Sequence, residues 1–206
     1  MFRIDIPLYL TKHVMSFIKK NTDKKDEELE IIQYGIEVFF INLFKLTFLF
    51  IVATLLNVIQ YLLILFICYG CIRIFAAGVH APSTLLCTLL SFVFFLGGTY
   101  IALYIPMNFV VRIVLFVLAF VLLIKYAPAD TEERPLVSAK HRKKLKMQSI
   151  LAASVLFLIM LLIKNETYKN LITCGVMLEG IFITPVIYFI LGKGYKNYEK
   201  INEHGD

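Results

Sequence analysis

The sequence predicts an all-α polytopic membrane protein with six transmembrane helices and an N-terminal amphipathic surface helix. Three observations carry that prediction. Apolar residues fill 59% of the 206 positions, above the roughly 45–50% of a soluble domain. They form continuous blocks of spanning length. The charged residues gather in segments that flank those blocks. The mean hydropathy of +0.78 agrees. The connectors are too short to fold alone, so the expected organisation is a cytoplasmic amphipathic segment over 1–34, a six-helix domain over 35–192 and a cytoplasmic tail over 193–206.

In residues 1–35, Ile6, Leu10, Val14, Phe17 and Ile18 recur at helical spacing, with Lys12, Lys19 and Lys20 elsewhere on the wheel. That pattern suits a helix lying on a membrane surface, too short in its apolar face to span. The segment is too polar for a secretory signal, so the first spanning helix is expected to direct insertion. Residues 21–30 mix both charges and read as a solvated connector or helix face. Six apolar runs follow, near 35–57, 58–75, 84–104, 108–126, 148–164 and 170–192. Each approaches or exceeds the roughly 17 residues a span needs. Asn57 and Gln60, Gly78 to Ser83, Pro106-Met-Asn, the long loop 127–147 and Lys164 to Asn170 separate them. Trp is absent, so tyrosines such as Tyr61, Tyr100, Tyr126 and Tyr195 are the candidate interfacial anchors.

A net charge of +6 and a pI near 9.1 would also suit a nucleic-acid binder. The placement of the charge argues otherwise. With the N-terminus inside, 17 of the 21 lysines and arginines fall on cytoplasmic segments, the asymmetry that orients membrane proteins. Both termini and the Gly78–Ser83 break are then cytoplasmic. Within the spans, Glu37 and Asn42 sit on the first, and Lys45 and Glu179 lie deeper. Intramembrane ionisable groups are paired or functional; an ion pair or helix contact is the ordinary reading for these two, substrate contact the sharper one.

Cys68 and Cys71 form a C-x-x-C, but without the strand-loop-helix context of a redox pair they read as small apolar residues on a helix. His13, His141 and His204 lie in surface segments. No His, Cys, Asp and Glu set has metal-ligand spacing, so neither metal nor cofactor is expected. The basic cluster Lys140, Arg142, Lys143, Lys144 and Lys146 reads as an anchor to anionic membrane lipid, as a docking surface for an acidic peptide, or as both.

The chemistry concentrates in Arg73-Ile-Phe-Ala-Ala-Gly78-Val-His80-Ala-Pro-Ser83-Thr-Leu-Leu-Cys87. On one uninterrupted helix His80 and Cys87 would stand about 10 Å apart along the axis. Pro82 disfavours such a helix. A new helix is expected to begin near Ser83, its N-cap, with Cys87 in the first turn and Gly78 letting the preceding chain fold back. There the helix dipole and an adjacent imidazole both favour thiolate, and the free amides of that turn suit an oxyanion. Ser83 and Asp130 are further candidates at such a site. From spacing alone, a packing cysteine and a surface histidine are the commoner readings; a six-span transporter and a membrane scaffold remain alternatives.

The pattern Arg73-x4-Gly78-x-His80-Ala81-x5-Cys87, the later Tyr126-Ala-Pro-Ala-Asp-Thr with Pro135, the basic cluster, the number of apolar runs and the amphipathic N-terminus together resemble the accessory gene regulator B (AgrB) family of bacterial membrane endopeptidases. The likeness covers essentially the whole chain. The family often has two glycines before the histidine, where this chain has Ala77-Gly78. The resemblance implies cleavage of an AgrD-like precursor peptide, with Cys87 as nucleophile and His80 as general base, and closure of the acyl-enzyme into a thiolactone or lactone for quorum sensing. It implies supporting roles for Arg73 and Gly78, an acidic substrate tail facing Lys140, Arg142, Lys143, Lys144 and Lys146, and a homodimer.

Overall fold

The computed structural model describes residues 6–22, 26–79, 84–131 and 136–199. Among them the chain is helical: α1 (Ile6–Lys20), α2 (Asp26–Leu55), α3 (Ile59–Ala76), α4 (Thr84–Ser91), a π-helical turn Phe92–Leu96, α5 (Gly97–Tyr104), α6 (Phe109–Tyr126), α7 (Ala139–Leu162), α8 (Glu166–Phe182) and α9 (Pro185–Ile190). The fold class is all-α, and five helical stretches are long and apolar enough to cross a membrane: Glu28–Leu55, Ile59–Ala76, Leu85–Tyr104, Phe109–Tyr126 and Ala139–Leu162. This is a membrane protein. The chain divides into two compact units, Met1–Leu55 and Leu56–Asp206.

In the first unit α1 packs along α2. Thr11 and Met15 are buried in α1, whereas Val14 and Phe17, expected on one apolar stripe with Leu10 and Ile18, face outward. Of the charged segment 21–30, read as a connector or helix face, the residues from Asp26 onward belong to α2. Further along α2, Asn42 donates to Val38 O at 2.9 Å, Thr47 to Leu43 O at 2.8 Å and Thr54 to Phe50 O at 2.8 Å. Polar side chains on a lipid-facing helix thus return to their own backbone, where no water is available to them.

The second unit is built around α8. Every residue from Asn170 to Val176 is buried, and α8 packs on α3, α5, α6 and α7. A helix enclosed all round by other helices does not need an outward apolar face, which explains why it tolerates Asn170, Thr173 and Glu179 in its interior. Its sequence reads as the start of a sixth span over 170–192. The structure instead divides that run into α8 and α9, with Pro185 at the first turn of the second helix. The prolyl ring carries no amide hydrogen and starts a helix more easily than it continues one.

Approach between helices is close where side chains are small. α3 buries a stripe of Leu62, Leu65, Cys68, Ile72 and Ala76. A Cβ added at Gly175 of α8 would lie 2.8 Å from Leu65 O and 2.9 Å from Cys68 Cβ. At one end of the unit, buried Arg112 of α6 donates from Nε to Asn170 Oδ1 at 2.9 Å and from Nη2 to Glu166, while Asn170 donates to Ala102 O at 3.1 Å. Hydrogen bonds from Lys169 and Arg112 hold the Glu166 carboxyl below its ordinary pKa. Its ionised contacts therefore persist down through the usual carboxylate range and are lost only as pH falls through that lowered value. Side-chain caps start three helices: Asn108 Oδ1 accepts from Val111 N at 2.9 Å, Ser138 Oγ from His141 N at 3.4 Å and Asn165 Oδ1 from Tyr168 N at 3.1 Å.

The loop after α6 is shorter than the expected 127–147, because α7 starts at Ala139 and takes the basic cluster into its first two turns. The outward residues of the spans, among them Leu85, Val93, Val114, Val117, Val121, Leu151 and Leu158, are apolar and exposed, the surface a bilayer covers.

The α3–α8 contact predicts the effect of one methyl group. Gly175→Ala forces these helices apart and lowers stability by about 1–3 kcal/mol. A fall in thermal melting temperature in detergent, absent in a control Gly70→Ala, checks it; a Cβ at Gly70 meets nothing within 4 Å.

Candidate functional site

α3 ends as the sequence requires. Ala76 is its last residue, Ala77 takes φ 57° and ψ −142°, and Gly78 takes φ 122°. Two consecutive positive φ values turn the chain sharply back. Gly78 adopts this region freely; Ala77 does not, at a cost of about 1–3 kcal/mol. The chain resumes at Thr84 as α4, so Cys87 stands in the first turn of a new helix, as its spacing from Pro82 suggests. His80 and Ser83, with Ala81 and Pro82, lie outside the described residues.

The turn is held from both sides. On one side, Arg73 reaches forward from the last turn of α3. Its Nη2 donates to Val79 O at 2.9 Å, and its Nη1 lies 3.5 Å from Glu179 Oε1 on α8. The guanidinium fills the space a Gly78 side chain would need: a Cβ there would meet Nη1 at 2.2 Å. On the other side, the loop after α6 pairs with the end of α3, Ala129 N donating to Ala76 O at 2.9 Å, with a short parallel bridge from Ala77 to Ala129.

Cys87 is partly buried. Ser91 Oγ donates to its carbonyl at 2.8 Å. Tyr69 is a half-buried residue one turn before Arg73. The Arg73 guanidinium carbon lies 5.9 Å from its ring centre. Tyr69 also packs on Phe95 at 5.0 Å and Phe182 at 6.1 Å, with Phe66 against Phe95 at 5.2 Å and Phe94 against Phe182 at 4.8 Å. An aromatic wall therefore stands behind the polar groups.

Asp130 is committed elsewhere. Its carboxylate accepts from Asn197 N at 3.0 Å and Tyr198 N at 2.8 Å, and its carbonyl accepts from the Tyr188 hydroxyl at 2.7 Å. It ties the tail 193–199 to the loop after α6. Beside it lies a cavity of about 260 Å³ lined by Lys125, Arg142, Lys143, Lys146 and Lys196, with Tyr126, Tyr195 and Tyr198. The basic cluster thus divides. Lys143 and Lys146 line this cavity, and Lys140 and Lys144 do not. Arg142 lines it while its Nη1 donates to Leu136 O and Val137 O, both at 2.7 Å, and its guanidinium sits 3.9 Å from the Tyr198 ring centre. Lys125 and Lys196 join the cavity although they are distant in sequence. The hydrogen bond to Glu199 raises the Lys196 pKa, and burial raises that of Tyr195.

The accessory gene regulator B family model matches residues 11–183. The chain belongs to that family. AgrB-like proteins of Clostridium acetobutylicum and Listeria welshimeri are 38% and 35% identical to it, the first over 88% of both chains, the second over 97% of this chain and 98% of its own. The accessory gene regulator protein B of Staphylococcus lugdunensis is 31% identical over 76% of this chain and 82% of its own. No solved structure matches. Membership in the accessory gene regulator B family agrees with the likeness carried by Arg73, Gly78, His80 and Cys87. Sequence spacing did not single out Tyr69, although it lies one helical turn from Arg73 and so on the same face. It left Glu179 between two readings, and the pairing with Arg73 gives it a partner.

The turn predicts opposite outcomes at neighbouring positions. Ala77→Gly relieves the positive φ, offset by greater freedom of the unfolded chain, so its stability matches or exceeds the parent's within about 1 kcal/mol. Gly78→Ala displaces Arg73 and strains the backbone, with a loss of about 1–3 kcal/mol. Melting temperatures of the two purified variants check the pair.

Proposed function

We propose that the chain is a membrane cysteine endopeptidase and cyclase that matures a small AgrD-like precursor peptide for quorum sensing. The observation that carries the reading is the position of Cys87, in the first turn of α4 just past a chain reversal that Arg73 and Glu179 brace.

His80, seven residues before Cys87 and next to Val79, takes the role of general base. The thiol proton passes to its imidazole as the sulfur attacks the scissile carbonyl carbon. The amides that open α4 stabilise the oxyanion in this reading. The intermediate collapses with loss of the C–N bond, the imidazolium proton goes to the departing amine, and the C-terminal tail leaves. The remaining acyl group is a thioester on Cys87. A thiol or hydroxyl of the same peptide then attacks it, closing a thiolactone or lactone and returning the proton to the Cys87 sulfur. Exchange between thioesters is nearly isoenergetic, so the ring forms in yield only where water is kept away. The aromatic wall of Phe66, Tyr69, Phe94, Phe95 and Phe182 supports that requirement.

In this reading the loops at the His80 end, both termini and the basic face of α7 are cytoplasmic, in keeping with the distribution of Lys and Arg. An acidic substrate tail lies against Lys140, Lys143, Lys144 and Lys146, with Arg142 both contacting it and holding the loop. Anionic lipid shares this basic face, and the working form is a homodimer.

Two measurements test the assignment. In cells co-expressing a cognate precursor, Cys87→Ala and Cys87→Ser insert normally and release no tail; a cyclic product one water lighter than the linear core from either variant would remove the nucleophile. Neutralising Lys140, Lys143, Lys144 and Lys146 together, with Arg142 kept, lowers kcat/KM by roughly tenfold at low ionic strength and by less in high salt. Unchanged processing there would separate the cluster from the substrate.

A further inference from the structure

Three separate segments bring cations to one cavity. Lys125 stands in the last turn of α6, Arg142, Lys143 and Lys146 in the first two turns of α7, and Lys196 in the tail after α9. The cavity measures about 260 Å³, room for far more than a single water. Its floor is the buried stretch of Ala127, Ala129 and Asp130. Tyrosine rings from α6 and the tail form part of its wall.

Charge is unbalanced there. Among the described residues, five cations line the cavity against one carboxylate, Asp130. That carboxylate is committed to the amides of Asn197 and Tyr198, at 3.0 and 2.8 Å. Glu199, outside the lining, pairs with Lys196 at 2.7 Å. Among the described residues Lys125, Lys143 and Lys146 make no ion pair. Arg142 is fixed by its bonds to Leu136 O and Val137 O and by the Tyr198 ring. Cations that the fold draws together repel one another. A bound anion removes that repulsion and meets donors already in place.

The level of the cavity identifies the anion. One candidate span closes at Tyr126, and the charged first turns of α7 precede the apolar part of the next. The cavity therefore lies where two spans leave the hydrocarbon, at the depth of lipid headgroups, which tyrosine rings also favour. We propose that it is a binding site for the phosphodiester headgroup of an anionic phospholipid, held by Lys125, Lys143, Lys146 and Lys196 against the fixed guanidinium of Arg142. Basic pockets between spanning helices take such headgroups. The assignment rests on the reading above in one respect, that anionic lipid reaches the basic end of α7. It adds a defined cavity and two lysines, Lys125 and Lys196, from other segments, and it leaves Lys140 and Lys144 outside. Ala129 in the floor donates to Ala76 O at 2.9 Å, so the headgroup sits behind the loop that pairs with the end of α3.

The test is native mass spectrometry of the full-length protein in detergent, with melting temperature recorded on the same preparations. The probes are dioleoyl phosphatidylglycerol, dioleoyl phosphatidylcholine, glycerol phosphate and hexaglutamate. Wild type binds phosphatidylglycerol saturably and at least about fivefold more tightly than phosphatidylcholine. Lys125→Gln/Lys196→Gln weakens phosphatidylglycerol by at least about fivefold, whereas Lys140→Gln/Lys144→Gln, which removes the same charge outside the cavity, changes it less than about twofold. Equal losses in the two pairs mean diffuse attraction to a basic surface and overturn the site. Unchanged phosphatidylglycerol binding in the first pair overturns it too, and a loss confined to hexaglutamate would make the cavity a peptide site instead. Glycerol phosphate bound by wild type as tightly as the lipid would make the source a soluble phosphate and overturn the lipid assignment. Should the first pair not fold, the exposed Lys196→Gln decides against Lys144→Gln: a greater loss in the former supports the cavity, and equal losses overturn it. The readout is lipid retention, so a failed cavity leaves the peptidase reading untouched. Wild type indifferent to phosphatidylglycerol removes both the cavity and the lipid contact proposed for the basic face.

Discussion

One guanidinium organises the end of α3 and the turn that follows it. Arg73 stands where α3 stops, and its side chain is a strut between the reversed backbone of Gly78–Val79 and the central helix α8. The features around it follow from giving that group room and a partner. Gly78 has no side chain because the guanidinium fills the space. Tyr69 offers its ring face one turn earlier. Glu179 faces it with a carboxyl group from an otherwise enclosed helix. Lysine would provide the charge without the planar fork, and so could not reach a carbonyl and a carboxylate in different directions at once.

The second constraint is the double role of α8. In most small membrane proteins each span shows lipid one face. Here the outer helices take the lipid and α8 takes the interior, where polar residues are permitted if they find partners. Asn170 finds Arg112 and Ala102 at one end, and Glu179 meets Arg73 at the other. Two arginines from different helices thus grip the same central rod near its two ends. The α3–α8 seam, closed at Gly175, sets the distance over which Arg73 must reach.

The sequence was most informative where a local rule had no competitor. Long apolar runs bounded by turn residues located α3, the α4–α5 stretch and α6 to within a residue or two, because a chain in lipid has no other way to satisfy its backbone. Pro82 and Gly78 announced the break before Cys87 for equally local reasons. The misjudged boundaries share a different cause. Charged residues at 139–147 looked like loop, and those at 26–30 like either a connector or a helix face, yet Lys, Glu and Arg are good helix formers, and α2 and α7 simply continue beyond their apolar parts. The sixth run was read as one span because apolar content does not register that α8 is enclosed by protein. Contacts between distant segments were out of reach in principle: nothing local in Asp130 says that its carboxylate receives the amides of Asn197 and Tyr198, and nothing in Lys125 or Lys196 says that they share a cavity with Lys143.

The π-helical turn at Phe92–Leu96 carries a consequence for how such a site arises. About eleven residues make close to three full turns of α-helix, so on a regular helix Cys87 and Gly98 would share a side. Gly98 is seated against Leu65 and Leu178, with a Cβ there meeting each at 3.2 Å. One wide turn holds an extra residue and shifts the phase by about a quarter revolution. The sulfur is thereby swung off the seam that Gly98 occupies while the far half of the helix keeps its seat. A single inserted codon is enough to produce that offset, and its deletion would turn the thiol back toward the packing face while leaving Arg73 and Cys87 themselves unaltered.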